Sequence, residues 1–277
     1  MNENIQILLL AAFVVIVSIL IIFLIFKTFH DVIRGVLNLY FRHELSLLFL
    51  NKKLKPKYRE ILIGYCQFYH RLSNKKKLIF EKRVQKFIDN KEFVARGDLS
   101  EVTDEMRVLI SSSAIQITFG LPGIYLEHFN RILIYADDYY STIFNRYHKG
   151  EVNSKRGIII LSWKSFLEGN ADRTDGINLG LHELAHAIHF EDAVRNNEYN
   201  FLDYDSWIRW ESEVGWELQR NEDGSPPFFR KYAYTNRHEF FACAIEHFFE
   251  RPQEFLEQKP KLYKLLSRLI NLDPLAL

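Results

Sequence analysis

Apolar positions fall into three regimes along this chain. From Ile5 to Phe26 only Gln6 and Ser18 are polar and no residue is charged. As a helix, those 22 residues would rise about 33 Å, enough for a hydrocarbon core. Further on, the apolar positions recur at helical spacing. Ile61, Leu62, Tyr65, Phe68 and Tyr69 share one repeat, Phe80, Val84, Phe87 and Ile88 another, and the apolar run Val108 to Ile117 predicts a further helix, so residues 58 to 115 read as mainly helical. Two short apolar runs, Arg131 to Ala136 and Gly157 to Ser162, read as strands joined by a polar, aromatic-rich connection that suits a hairpin or lid. From Asn178 the spacing is helical again, broken by NEDGSPP at 221 to 227. The pattern predicts an α+β fold, mainly helical with a small sheet packed on a helix, preceded by one N-terminal transmembrane helix.

Charge refines the N-terminal reading. The segment before the apolar run, Met-Asn-Glu-Asn, has no basic residue, and no small-x-small cleavage site follows, so a retained anchor is expected rather than a signal peptide. Lys27, Arg34, Arg42, Lys52, Lys53, Lys55, Lys57 and Arg59 follow the run. This bias predicts a single-pass membrane protein whose C-terminal side is cytoplasmic. The expected order is an extracytoplasmic stretch over 1–4, the anchor over 5–26, a basic juxtamembrane linker over 27–60 beside anionic headgroups, and one domain over 61–277. The formal net charge is +1, so the domain beyond those eight cations is mildly acidic, which argues against a nucleic-acid surface. Two cysteines, Cys66 and Cys243, are too few for a disulfide framework.

The chemistry concentrates in HELAH, His182 to His186. Residues four apart share a helix face, so His182 and His186 can each direct a nitrogen to one tetrahedral zinc ion, Zn2+. Glu183 stands beside the first ligand, where its carboxylate can take a proton from a zinc-bound water. Leu179, Leu181, Leu184, Ala185 and Ile188 make the segment apolar, and no proline interrupts 178 to 192, as a buried active-site helix requires. A catalytic zinc needs a third protein ligand. The metzincin pattern fails, because His189 stands in place of its glycine and Asp192 in place of its third histidine. Glu213 and Glu217, in ESEVGWE, and Glu239, at the start of a helix expected from about Arg237 to Glu250, remain open. Asn236 with Glu239 also fits a capping box, and Glu246, two turns along, could orient a ligand histidine.

GIIILSW (Gly157 to Trp163), HELAHAIHFED, EVGWE (Glu213 to Glu217) and YAYTNRHEFFACAIEHFFERP together resemble the Mlc titration factor A family of zinc peptidases. LPGIYLEHFNRILIYADDY (Leu121 to Tyr139) extends the resemblance more weakly, so that it covers most of residues 60 to 275. It implies a zincin-like metallopeptidase domain with His182, His186 and Glu239 as zinc ligands, Glu183 as catalytic base and Tyr232 as donor to the oxyanion. One departure stands out: the proline and alanine usual before the third ligand are Arg237 and His238 here. The resemblance implies either hydrolysis of a peptide or protein substrate, or a regulatory binding protein of the same fold that sequesters a transcriptional repressor or another cytoplasmic partner. The intact base favours the enzyme. Gly157 to Ser162 is the natural strand for an extended substrate to pair with, if its edge is free; its IIIL run suits a buried central strand equally.

Overall fold

The computed structural model describes residues 13–18, 20–27, 29, 52–121, 123–141, 145–195, 202, 204–222 and 227–277. The chain divides into two units, Met1–Phe49 and Leu50–Leu277. In the first, residues 13–18 and 20–27 are helical and their apolar side chains are exposed. Among the described residues no helix is long and apolar enough to cross a membrane, which overturns the transmembrane helix expected over 5–26 and the single-pass, cytoplasm-facing placement drawn from it. The expected N-terminal stretch 1–4, the first part of that anchor and most of the basic linker lie outside the described residues.

The second unit opens with three helices, α1 (Pro56–Tyr65), α2 (Gln67–Arg71) and α3 (Asn74–Asn90), which lead into strand β1 (Glu92–Arg96) and helix α4 (Asp104–Thr118). Ser73 and Thr103 cap α3 and α4, their side chains accepting the backbone N–H of Lys76 and Met106. Next come β2 (Arg131–Tyr135), the antiparallel ribbon β3 (Tyr139–Ser141) and β4 (Arg146–His148), then β5 (Gly150–Asn153) and β6 (Ile158–Ser162). The remaining helices are α5 (Trp163–Ala171), α6 (Leu179–Arg195), α7 (Tyr204–Glu222), α8 (Arg237–Glu250), α9 (Pro252–Gln258) and α10 (Pro260–Leu269), with a 3-10 turn, Lys231–Thr235, entering α8.

The strand order is β1-β2-β6-β5. β1, β2 and β6 run parallel, whereas β5 is antiparallel to β6. β1 departs from the helical reading of residues 58–115: EFVAR is too short to show a period, and pairing with β2 at all five residues decides its state. The aromatic-rich connection is the β3–β4 ribbon followed by β5. β6 has partners on both sides, so the edge strands are β1 and β5, and Gly157–Ser162 offers no free edge. The IIIL run is buried between neighbours, which is what a parallel strand covered on both faces requires. Gly157 makes the β5–β6 turn at φ +61, where a Cβ would meet the His128 carbonyl oxygen at 2.3 Å.

α6 packs on the sheet, α4 and α8 together, which is why its apolar residues surround the helix instead of lining one stripe. Leu181, Leu184, Ala185 and Ile188 are buried against a core to which α8 contributes Phe240, Phe241, Ala244, Ile245 and Phe248. Each such phenylalanine is worth about 1.5–3 kcal/mol of burial. The pair α6–α8 is thus the rigid base on which polar side chains can be held.

Candidate metal centre

α6 is entered through Asn178, whose side-chain oxygen accepts the Leu181 N–H at 3.0 Å while its carbonyl accepts the His182 N–H at 2.9 Å. One turn later His182 and His186 lie on the same face, ring centroids 4.8 Å apart. Glu239 reaches them from the first turn of α8. Asn236 caps that helix, its Oδ1 accepting the N–H of His238 at 2.9 Å and of Glu239 at 3.0 Å. The cap is therefore made by Asn236, and the Glu239 carboxylate turns to the histidines. Its Oε2 lies 3.0 Å from His182 Nε2 and 3.4 Å from His186 Nε2, and the two nitrogens are 3.2 Å apart.

Three donors so placed fit a metal ion. Arms of about 2.0–2.1 Å in a tetrahedron give edges of roughly 3.3 Å, the size of this triangle. The chemistry of the set agrees. His182 Nδ1 lies 2.5 Å from Glu246 Oε1, and a proton on Nδ1 donated to that carboxylate leaves a lone pair on Nε2, facing the Glu239 oxygen. Lone pairs converging at such distances repel unless a cation or a proton lies among them. Burial opposes charge on His182, but its bonds to Cys243, Glu239 and Glu246 prevail and raise its pKa well above the ordinary imidazole value. Burial would raise the Glu239 carboxyl, yet the two histidines hold it well below the usual carboxylate range.

Around the triangle stand the other expected residues. Glu183 is buried, and burial pushes its carboxyl above the usual range. It packs on β5 so closely that a Cβ on Gly150 would come within 2.5 Å of its Cγ. Tyr232, half exposed on the 3-10 turn, has its ring centroid 5.9 Å from that of His182. Partial burial and then the Glu239 charge push its phenol up to about 12. Glu183, Tyr232, His182, Arg230 and Gly150 all line one cleft of about 600 Å3.

The rival ligands are engaged elsewhere. Glu213 pairs with Lys261, and Glu217 with Lys259 at 2.6 Å. His189 packs between Trp207 and His238, at 5.0 and 4.5 Å between ring centroids, and burial lowers its pKa to about 4. Asp192 accepts the Leu202 N–H. His182, Cys243 and Glu246 form a second, wholly buried group of possible ligands. Its carboxylate is already bound, since Arg230 clamps both Glu246 oxygens at 2.8 Å and the Asn178 N–H adds a third bond at 2.8 Å. That group therefore supports the His182 ring and needs no ion of its own.

Arg230, Asn178 and Gly150 escaped sequence reasoning. Only Gly150 carried a signal, a glycine inside a strand where another group approaches closely.

Comparison with known proteins places the chain in a family. Over 239 residues the chain is 28% identical to an uncharacterized protein of Synechocystis sp., covering 81% of this chain and 86% of that protein. Mlc titration factor A of Salmonella agona is 27% identical over 186 residues, 60% of this chain and 69% of its own length, and the protein of that name from Salmonella paratyphi B matches to the same extent. Both bear out the resemblance seen in the motifs. Residues 41–270 match the glucose-regulated metallo-peptidase M90 family, and the chain, carrying the histidine pair and the glutamate from a distant helix, belongs to it.

Proposed function

We propose that this protein is a zinc-dependent peptidase, with His182, His186 and Glu239 holding the ion and Glu183 acting as general base. The observation that carries the reading is the triangle of donor atoms at 3.0, 3.2 and 3.4 Å, with the buried Glu183 carboxylate lining the same cleft as His182. A zinc ion held there would polarise the scissile carbonyl and make hydroxide available near neutral pH. Glu183 takes the proton of the attacking water and passes it to the leaving amine. Its raised pKa brings it closer to the operating pH, where proton transfer in both directions is efficient. Tyr232, whose high pKa keeps the phenol protonated at neutral pH, donates its O–H to the oxyanion. The free edge of β5 offers backbone N–H and C=O groups to an extended peptide. Gly150 puts that edge against Glu183.

The test is Glu183→Gln in purified protein. Peptide hydrolysis should fall about 10²–10⁴-fold with zinc content unchanged. Undiminished turnover, or a wild-type protein that binds no zinc, would sink the proposal. A second reading, a binding protein on a peptidase-like fold, is favoured by the name titration factor that relatives carry. On that reading Glu183→Gln keeps its cellular effect in full.

A further inference from the structure

A second cavity, of about 210 Å3, lies behind the cleft. It is walled by the α1–α2 junction, α4, the end of α5 and the end of α8. Its charges are oddly matched. Glu250 has one carboxylate oxygen bound by Asn178 Nδ2 at 3.0 Å, while the other is buried with no hydrogen-bond partner. Arg173 and Arg71 also line it, and their guanidinium groups are held by backbone carbonyls, Arg173 by Tyr65 and Asn170, Arg71 by Pro274. Among the described residues neither arginine has a carboxylate in an ion pair. The rest of the wall includes Leu109, Leu181 and Phe249.

A carboxyl group short of a donor, guanidinium groups short of a carboxylate and an apolar wall are complementary to one class of molecule. We propose that this cavity is a second, non-catalytic binding site for a free α-amino acid with an apolar side chain. Its ammonium group pairs with Glu250, its carboxylate with Arg173, and its side chain lies against Leu109, Leu181 and Phe249. The size agrees, since the cavity is below the roughly 300–1,000 Å3 of pockets for drug-sized ligands. It also connects to the metal centre. Asn178 bonds Glu250 through its side chain and Glu246 through its backbone N–H, and Glu246 bonds His182 Nδ1. Free amino acids are end products of peptide breakdown, so such a site would report on them; that consequence rests on the peptidase reading, whereas the binding does not.

Binding is therefore measured directly, by titration calorimetry of the full chain with L-leucine, L-leucinamide and 4-methylpentanoate. L-leucine should bind saturably, one per chain. The amide, lacking the carboxylate, and the acid, lacking the amine, should each bind at least about 10-fold more weakly, as loss of a charge-assisted bond predicts. Glu250→Gln and Arg173→Gln should weaken L-leucine similarly while the ligand-free melting temperature shows that each variant folds. If one fails to fold, the other and the analogue series decide. Burial, with Glu246 and Asp175 nearby, outweighs the Asn178 hydrogen bond and the Arg173 charge and pushes the Glu250 carboxyl up to about 8. Binding an ammonium group at pH 7 should thus release a proton, seen as a dependence of the heat on buffer ionisation enthalpy. No saturable heat with L-leucine, or analogues that bind as well as it does, would overturn the site. Hydrolysis enters none of these readouts, so the peptidase reading stands or falls separately.

Discussion

The two nitrogens of His182 look onto opposite kinds of surroundings. On one side, the front, Nε2 faces His186 and Glu239, groups that bring lone pairs and negative charge and leave the set unfinished without a cation. On the other, the rear, Nδ1 faces Glu246, whose carboxylate is buried and has its oxygens bound by Arg230 and Asn178. A buried charge persists only when it is paired and hydrogen-bonded, so the rear must be complete for the protein to fold. The front can stay incomplete because water and ligands reach it. The same ring thus divides function from support.

The division can be attacked from either side. After Glu183→Gln, the largest effect expected is at Tyr232→Phe, which removes a single hydroxyl on the front. Loss of one oxyanion donor predicts a fall in kcat of about 10²–10³ with metal content and melting temperature unchanged. An unchanged kcat would make Tyr232 a packed aromatic and nothing more. The rear is probed by Glu246→Gln. It keeps the shape but weakens the clamp on Arg230 and the hold on the His182 ring, and zinc affinity should drop about 10–100-fold in competition with a chelator. If affinity holds while stability falls, the rear serves folding alone.

What the sequence made legible follows the same line. His182, Glu183 and His186 are local, one turn of one helix, and their spacing could be read directly. Glu239 could not be separated from Glu213 and Glu217 by spacing, because its position depends on how α8 docks on α6; the resemblance singled it out. Glu246 was visible only as a carboxylate that could orient a ligand histidine. Its clamp, Arg230, stands in a stretch with no period, between the Pro-Pro pair and the 3-10 turn, and nothing in that stretch announces a partner sixteen residues on. The sheet shows the same limit. Apolar runs marked β2 and β6, but β1 and β5 are short and mixed, and which strand has the free edge depends on pairing. The N-terminal run met the compositional rule for a membrane span, yet among the described residues no helix is long and apolar enough to cross a membrane.

The smallest effect concerns an unfinished group one bond beyond the rear shell, reached through Asn178. Glu250 has an unpartnered buried oxygen, and burial raises its carboxyl from an ordinary 4.5 to about 8. Below pH 4.5 the folded and unfolded chains both carry the proton, and the group costs nothing by linkage. Between 4.5 and about 8 the folded chain keeps a proton that the unfolded chain releases, so stability falls as pH rises. Above about 8 the carboxylate is ionised in both states and the penalty is full. Gln cannot ionise, so Glu250→Gln should gain on the wild type as pH climbs from 5 to 9, by a few kcal/mol at most. At roughly 2–4 °C per kcal/mol, that is a difference in Tm that widens by several degrees across the series. A difference that stays flat with pH would mean that Glu250 ionises as an ordinary surface carboxylate.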